Sequence, residues 1–305
     1  MTSFLSISNQ MLFLFTCILV GFILNKSRVL PRDADVILSR LVSYVAIPAM
    51  VIKTFRAHCT PANLRADAFL LLVILAVTLI GMAISYLAAP YLTKKKENYG
   101  VFRYAITLSN FGFVGNPLVL ALLGEEALFH FLIITLPGTL YAYTIGMIDL
   151  TTGQQKFRPS MLLTPSILSM GVGIFMGLTS IPLPAFLEKA IGSLQDCYSP
   201  LAMLMTGIVI GHYNPLKLLK EKEIYVLSFL RLIVLPLFFL GLCKLIRLDA
   251  FATQMTVFYT AMPVGLNTII FPAAFGGDET PGAAMAIISN LIGLITVPLI
   301  VGLVL

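Results

Sequence analysis

The feature that most constrains this chain is a series of apolar stretches, each long enough to cross a membrane. The hydrocarbon core of a bilayer, about 30 Å thick, is crossed by roughly 20 apolar residues in a helix. Ten such stretches, joined by short connections, follow one another along the 305 residues. They lie at about 9–25, 36–55, 68–92, 102–123, 126–149, 161–180, 190–212, 223–246, 251–275 and 280–304. In lipid the backbone must satisfy its own hydrogen bonds, so the sequence predicts an all-α integral membrane protein with ten transmembrane helices.

Composition excludes a water-soluble core. Hydrophobic residues make up 58% of the chain and charged residues only 11%, whereas soluble domains carry about 25% charged residues. The four cysteines show no CxxC or metal-ligand spacing, so we expect no disulfide, metal or cofactor. The opening "MTSFLSISNQ" has no basic residue, which favours a first span over a cleaved signal peptide.

Basic residues predict the orientation. Twelve Lys and Arg residues lie in the loops after odd-numbered spans, and six lie in the loops after even-numbered spans. Because cytoplasmic loops are enriched in Lys and Arg, we expect the odd loops in the cytoplasm and both termini outside, in a cell inner membrane. The basic residues are otherwise solvated loop charges, so no nucleic-acid partner is expected.

The fourth span is interrupted in its middle by residues that weaken a helix. Within "TLSNFGFVGNPLVLALLGEE" these residues are Ser109, Asn110, Gly112, Gly115, Asn116 and Pro117. An interrupted helix leaves N–H and C=O groups free, at several kcal/mol each in lipid. The break therefore has to be buried or line a wet cavity.

The chain also repeats itself. Shifted by 153 residues, "TLSNFGFVGNPLVLALLGEEA" lies over "TAMPVGLNTIIFPAAFGGDET", and spans two and seven match at nearly the same offset. The aligned pairs include Asn110 with Pro263, Gly112 with Gly265, and Pro48 with Pro200. Because each half has an odd number of spans, the second half enters the bilayer from the opposite side. The sequence thus predicts two inverted five-helix repeats, 1–150 and 151–305.

Paired Gly/Pro interruptions in inverted repeats are typical of transporter binding sites. Helices four and nine are expected to be broken, to cross near the bilayer centre, and to direct positive helix N-termini at one point, which would suit an anion. No Asp or Glu lies between Asn98 and Gly124 or between Thr253 and Gly277, which weighs against a cation antiporter. The alternative is that each interruption is only a packing device. The residues predicted to bind the anion are Asn110, Gly112, Asn116, Pro117, Pro263, Gly265 and Asn267, with Pro48, Met50, Ser199 and Pro200 from spans two and seven.

Several of these stretches resemble the auxin efflux carrier family, which contains the plant PIN-type carriers and the bacterial malate and malonate permeases. In span four, "LSNFGFVGNPLVLALLG" is similar to a plant pattern L-P-N-T followed by G-I-P-L, with Asn110 on its Asn and Pro117 on its second Pro. In span seven, "SPLAMLMTGIVIG" resembles P-L-A-x-x-x-x-G, and in span nine "AMPVG" resembles A-L-P-Q-G.

The resemblance implies a fold like that of sodium/proton antiporters or bile-acid symporters, with a scaffold domain, a transport domain and elevator-like alternating access. It also implies a carboxylate substrate approached by Tyr141 of span five. Ser109 replaces the plant crossover proline, which leaves Pro117 or Gly112 to carry the break. A plant Asp-x-x-x-Lys pair survives only as Asp67, and the central loop is short, which favours the bacterial branch.

Ionisable residues inside spans are candidate functional residues. Asp196 is a candidate site for a coupling proton or sodium ion, or a charge that faces water at a helix entry. For Arg231 the alternatives are a substrate counter-charge, snorkelling and an interhelical pair, in a span expected to lie far from the crossing. His130 is interpreted as a helix-start residue with no ligand role.

Together these observations predict a secondary transporter of a small mono- or dicarboxylate. The alternatives are a sodium-coupled bile-acid-type symporter and a non-transporting membrane sensor. An enzyme is not expected, because no span carries paired acids, HExxH, GxSxG or a Cys/His dyad. The expected partners are the lipid bilayer and the anion, with a homodimer left open.

Overall fold

The computed structural model describes residues 2–151, 159–218 and 220–305. The predicted connection between the repeats falls mainly on 152–158, outside the described residues. In chain order the helices are α1 (Thr2–Lys26), α2 (Ala34–Leu41), α3 (Ile47–His58), α4 (Pro61–Leu92), α5 (Tyr99–Thr107), α6 (Asn116–Ile134), α7 (Leu136–Tyr143), α8 (Ile145–Leu150), α9 (Pro165–Thr179), α10 (Ala185–Asp196), α11 (Tyr198–Gly211), α12 (Pro215–Leu218), α13 (Lys222–Phe229), α14 (Leu235–Leu245), α15 (Ala250–Ala261), α16 (Asn267–Phe275) and α17 (Thr280–Val301). Three π-helical turns, Val42–Ala46, Phe111–Gly115 and Leu230–Val234, join α2 to α3, lead into α6, and join α13 to α14.

Long apolar helices dominate the fold. In the described parts of the chain, six helical stretches are long and apolar enough to cross a membrane. They are Phe4–Lys26, Ala34–His58, Pro61–Leu92, Phe111–Ile134, Lys222–Leu245 and Thr280–Val301. Large apolar side chains such as Leu72, Leu87 and Phe175 are exposed on the outer faces, as in a surface that faces lipid rather than water. The prediction of an all-α membrane protein is confirmed at this level.

Several predicted spans consist of shorter helices. Span four contains α5, a break and the first part of α6, and it ends at Gly124, whose φ of 87° favours glycine. The remainder of α6, with α7 and α8, corresponds to span five, and α15 and α16 correspond to span nine. Spans four and nine are therefore interrupted, as predicted, whereas the interruptions of span five were not predicted.

Close helix pairs are formed through glycines. Helix α1 packs along α11, where Gly207 lies against the Ile18 carbonyl with no room for a Cβ. Helix α9 packs along α3, where a Cβ on Gly177 would lie 2.7 Å from the Phe55 carbonyl oxygen. Small residues let helix backbones approach this closely. Two closely packed pairs result, α1 with α11 and α3 with α9.

Candidate functional site

The breaks in spans four and nine meet each other. Ser109 forms an isolated antiparallel bridge with Val264, and the Asn110 N–H donates to the Pro263 carbonyl oxygen at 2.7 Å. The Ser109 hydroxyl donates to the backbone carbonyl of Tyr259, within α15. The two breaks therefore supply each other with some of the hydrogen bonds that their helices lack, which is the condition for non-helical backbone at membrane depth.

The position of the first break differs from the expectation. The chain leaves α5 at Leu108, which is extended (φ −113°, ψ 135°), and Ser109 follows in the bridge. The expectation that Gly112 or Pro117 carries the break is therefore wrong. Both residues lie beyond the break, in the helical segment that restarts at Phe111.

Pro117 nevertheless shapes the site. In the π-helical turn the Asn116 N–H donates to the Phe111 carbonyl. The next donor in this pattern would be Pro117, which has no N–H. The Gly112 carbonyl accepts the Tyr198 hydroxyl of α11 instead, at 2.6 Å. The proline thus leaves a carbonyl available to bind a side chain from another helix.

A cavity of about 210 Å³ lies against these breaks. Its polar lining residues are Ser43, Tyr104, Ser109, Asn110, Asn116, Thr135, Thr139, Tyr143, Thr164, Ser166, Tyr198 and Asn267. Among the described residues that line it, none carries a charge. Because pockets for drug-sized ligands measure about 300–1,000 Å³, this volume suits a smaller molecule.

Only one end of the Asn110 side chain has a hydrogen-bond partner among the described residues. Its Oδ1 accepts the Phe113 N–H at 3.2 Å and so caps the restarted helix. Asn110 is 4% exposed, and within the described structure its Nδ2 has no hydrogen-bond partner. Asn116 Oδ1, also buried at this wall, is likewise unpaired there. Buried polar atoms are rarely left unpaired, so the unpaired amide donor at the cavity indicates a missing acceptor.

Three helical segments begin at the cavity. The segment from Phe111 continues into α6, α16 begins at Asn267, and α9 begins at Pro165 after its N-cap, Thr164. The first N–H groups of a helix have no partner within it, and this end carries about half a positive charge. The cavity therefore combines positive dipole ends with hydroxyl and amide donors, an arrangement that suits a small anion.

The predicted site residues divide into two sets. Those that line the cavity are Asn110, Gly112, Asn116, Gly265 and Asn267. Those that lie outside its lining are Pro117, Pro263, Pro48, Met50, Ser199, Pro200 and Tyr141. The residues that line the cavity from span two are Ser43 and Ile47, not Pro48 or Met50. From span seven, Tyr198 lines it. Asn267 Nδ2 donates to the Tyr104 hydroxyl at 2.9 Å, so one of its donors is already engaged.

Span five supplies a face that the sequence reasoning missed. Tyr143, rather than Tyr141, lines the cavity, together with Thr135 and Thr139. These three residues are spaced four apart, and residues at this spacing lie on one helix face. A stripe of polar residues in an otherwise apolar span was therefore a signal available in the sequence.

Arg231 lies behind the crossing rather than in the cavity. It is 2% exposed, and its Nη1 donates to the Ile106 carbonyl oxygen at 3.2 Å, in the last turn of α5. The interhelical alternative is confirmed, and the expectation that span eight lies far from the crossing is wrong. A cation at this position stabilises the negative end of α5.

Three other charged residues, Asp196, Lys53 and Glu125, lie outside the cavity lining. Asp196, the predicted coupling residue, is exposed at the end of α10 and does not line the cavity. The Lys53 Nζ of α3 lies 2.6 Å from Glu125 Oε1, and the Gln195 amide of α10 donates to the same oxygen at 3.1 Å. This contact joins the tip of span four, just after Gly124, to spans two and seven.

Comparison with known proteins gives a consistent result. The chain matches the family described as membrane transport protein over residues 6–301. It is 24% identical over 296 residues to an uncharacterized transporter of Methanocaldococcus jannaschii, covering 92% of this chain and 94% of that protein. A second uncharacterized transporter, from Methanothermobacter thermautotrophicus, is 22% identical over 97% of this chain and 98% of its own length. A putative malonate transporter of Rhizobium meliloti is 22% identical over 93% of this chain and 91% of its own.

Proposed function

This chain belongs to the membrane transport protein family, the auxin efflux carrier-like family, and from that premise we propose that it is a secondary transporter of a small mono- or dicarboxylate. The observation that carries the proposal is the unpaired Asn110 Nδ2 in a cavity that is polar but uncharged. Dipole ends and neutral donors bind anions without the desolvation that a buried Lys or Arg would require.

The volume of the cavity and the description of one relative support this substrate class. About 210 Å³ accommodates a molecule with few heavy atoms more readily than a bile acid. The Rhizobium meliloti relative is described as a putative malonate transporter. Malonate is therefore the first probe, with malate and indole-3-acetate as the other candidates.

Helix packing supports the ten-span inverted repeat. In that arrangement spans one and two of the first half correspond to spans six and seven of the second. The contact between α1 and α11 joins spans one and seven, and the contact between α3 and α9 joins spans six and two. Exchanging the halves converts one contact into the other, and glycines mediate both. In this arrangement Phe111–Ile134, kinked at Gly124, would be shared by spans four and five, which α5 and α7–α8 would complete. Spans six, seven and nine would be α9, α10–α11 and α15–α16.

Asymmetry between the two ends supports alternating access. At the tip of span four, Glu125 is held by Lys53 and Gln195. At the corresponding tip of span nine, Glu279 instead borders a cavity of about 750 Å³, together with Asp35 and Tyr213. One end thus has a polar contact between spans where the other end has a cavity. In an elevator mechanism the Lys53–Glu125 pair would break as the span-four tip moves relative to spans two and seven.

Binding and flux together test this function. Purified protein is heated with malonate, malate or indole-3-acetate, and with choline as a cationic control. A ligand at 100 times its Kd stabilises by about 2.7 kcal/mol, so the carboxylate that binds should raise the melting temperature while choline should not.

The same carboxylate should then exchange across proteoliposomes that contain the protein. Exchange that requires Na⁺ would identify the sodium-coupled alternative, and binding without exchange would identify a sensor. If none of the three carboxylates binds or exchanges, the proposed substrate class is wrong.

A further inference from the structure

Away from the cavity, a buried acid–base pair joins α4 to α6. His130 Nδ1 lies 2.6 Å from Asp67 Oδ1. Asp67 is 1% exposed and His130 is 9% exposed. The second carboxylate oxygen, Oδ2, is buried with no hydrogen-bond partner among the described residues. His130, interpreted from the sequence as a helix-start residue with no ligand role, therefore has a specific ionisable partner.

The surroundings of this pair are mainly apolar. The His130 ring packs edge-on against Phe129 of its own helix at 5.2 Å and against Phe251 of α15 at 5.3 Å. Cys59, at the end of α3, is also buried.

Two charged groups on neighbouring elements have other partners. Glu125, five residues before His130 on α6, is paired with Lys53 of α3. Asp249, at the start of α15, accepts the Ala252 N–H as a helix cap. Within the described part of the chain, Asp67 forms its ion pair with His130.

Charge counting gives the pair a preferred state. With one shared proton the pair has no net charge, whether the proton is on His130 or on Asp67. Without it, the pair carries one negative charge, and one buried carboxylate oxygen has no hydrogen-bond partner among the described residues. Binding and release of one proton therefore switch the pair between a neutral and a negatively charged state.

The pair lies on the helices that build the cavity. Thr135, the C-cap of α6, lines the cavity five residues after His130, a separation of about 7.5 Å at 1.5 Å per residue. Phe251, which packs on His130, begins α15, the helix that leads to the break at Val264. Protonation of the pair and occupation of the cavity would thus act on the same two helices.

We propose that Asp67 and His130 bind a proton that moves across the membrane together with the organic anion. The proposal rests on the transport function proposed above and names the coupling ion. In each cycle one proton binds to the pair on one side and leaves it on the other, as one anion does at the cavity.

The test uses proteoliposomes with labelled malonate, or with whichever of the three carboxylates the parent protein exchanges. Potassium and valinomycin hold the membrane potential at zero, and the lumen is one pH unit more alkaline than the outside. With one proton per anion, this gradient accumulates the anion about tenfold, because one pH unit corresponds to a tenfold ratio. Protein-free vesicles report passive entry.

The variants Asp67→Asn, His130→Gln and the double variant keep hydrogen-bonding side chains but remove the ionisable pair. We expect each variant to exchange the labelled anion but not to concentrate it. Under the gradient, the ratio of its inside to its outside concentration should stay at about one. Glu126→Gln is the control, because Glu126 is exposed on the same helix, and it should retain the tenfold accumulation. Asp67→Glu should restore coupling in part, which a purely structural role would not predict.

Tenfold accumulation by the double variant would overturn the proposal, as would a parent protein that exchanges the anion without responding to the gradient. Loss of the response in Asp196→Asn but not in Asp67→Asn would assign coupling to Asp196 instead. A parent that exchanges none of the carboxylates would refute the transport function itself, which is a distinguishable result. If Asp67→Asn does not fold, His130→Gln and the double variant decide the question.

Discussion

The two ends of the Asn110 side chain can be changed separately, which allows a sharp test of the proposed anion site. Its Oδ1 caps the restarted helix through the Phe113 N–H, while its Nδ2 is unpaired at the cavity. Asn110→Ala removes both groups. Asn110→Asp keeps an oxygen in the capping position and replaces the donor by a second negatively charged oxygen. Comparing these two variants separates the loss of the cap from the loss of the donor.

The expected magnitudes follow from these contacts. Loss of an N-cap costs about 0.5–2 kcal/mol of stability, so Asn110→Ala should melt at a lower temperature. A hydrogen bond to a charged group contributes about 1.5–3 kcal/mol, so its loss should weaken carboxylate binding about tenfold to hundredfold. Asn110→Asp should keep the capping contribution, yet it should bind the anion at least as weakly, because the new charge repels the ligand.

The assay is equilibrium binding of labelled malonate, or of the carboxylate found by the screen, alongside thermal unfolding without ligand. Asn290→Ala is the matched control: Asn290 is 6% exposed, donates to the Ala286 carbonyl at 2.7 Å and does not line the cavity. It should lower the melting temperature and leave the Kd unchanged. Parental affinity in Asn110→Asp would refute the proposed role of Nδ2 as a donor to an anion.

Three further predictions concern charge and topology. Arg231→Ala leaves an α5 carbonyl unpaired, so it should reduce stability by about 1–3 kcal/mol. It should raise the Kd of the anion less than Asn110→Ala does. A hundredfold higher Kd at an unchanged melting temperature would contradict this. Glu125→Gln removes the ion pair with Lys53, in which the side chains are 33% and 36% exposed, so it should favour opening of this end by only about 0.2–1 kcal/mol. Labelling of a cysteine near the span-four tip should report that opening, and an unchanged labelling rate in both Glu125→Gln and Lys53→Ala would argue against the pair as a closing contact. The topology is tested with Asp278→Cys in a Cys197→Ser background, because Cys197 is exposed. An impermeant thiol reagent added outside intact cells should not label this cysteine. Labelling there would reverse the predicted orientation.

Local sequence signals predicted that spans four and nine are interrupted, but not where. Gly, Pro and Asn in "SNFGFVGNP" weaken a helix over several residues. The position of the break depends on the backbone pairing of Ser109 with Val264, which lies far away in the sequence. Pro117 is tolerated beyond the break because the Gly112 carbonyl, which lacks a helical donor at Pro117, accepts the Tyr198 hydroxyl instead. A proline in the sequence therefore did not identify the break by itself.

The side of each helix that faces the cavity was harder to predict. Pairing Pro48 with Pro200 by alignment predicted lining residues close to those prolines in spans two and seven, whereas Ser43, Ile47 and Tyr198 line the cavity. Which helix face points inward depends on packing between distant helices. In span five the resemblance to the plant carriers indicated Tyr141, whereas the four-residue spacing of Thr135, Thr139 and Tyr143 would have indicated the lining face.

The distribution of charge suggests why the cavity itself is neutral. A carrier that returns empty has to move its own site across the membrane, and a fixed charge in that site would be costly in an apolar environment. Here three charged groups lie outside the cavity: Arg231 is bound to α5, Lys53 is paired with Glu125, and Asp67 is paired with His130. An anion would then be the main net charge that enters the cavity, held by helix ends and amides that have no net charge of their own. A monoanion that crosses together with the proton on the Asp67–His130 pair would form a cargo with no net charge.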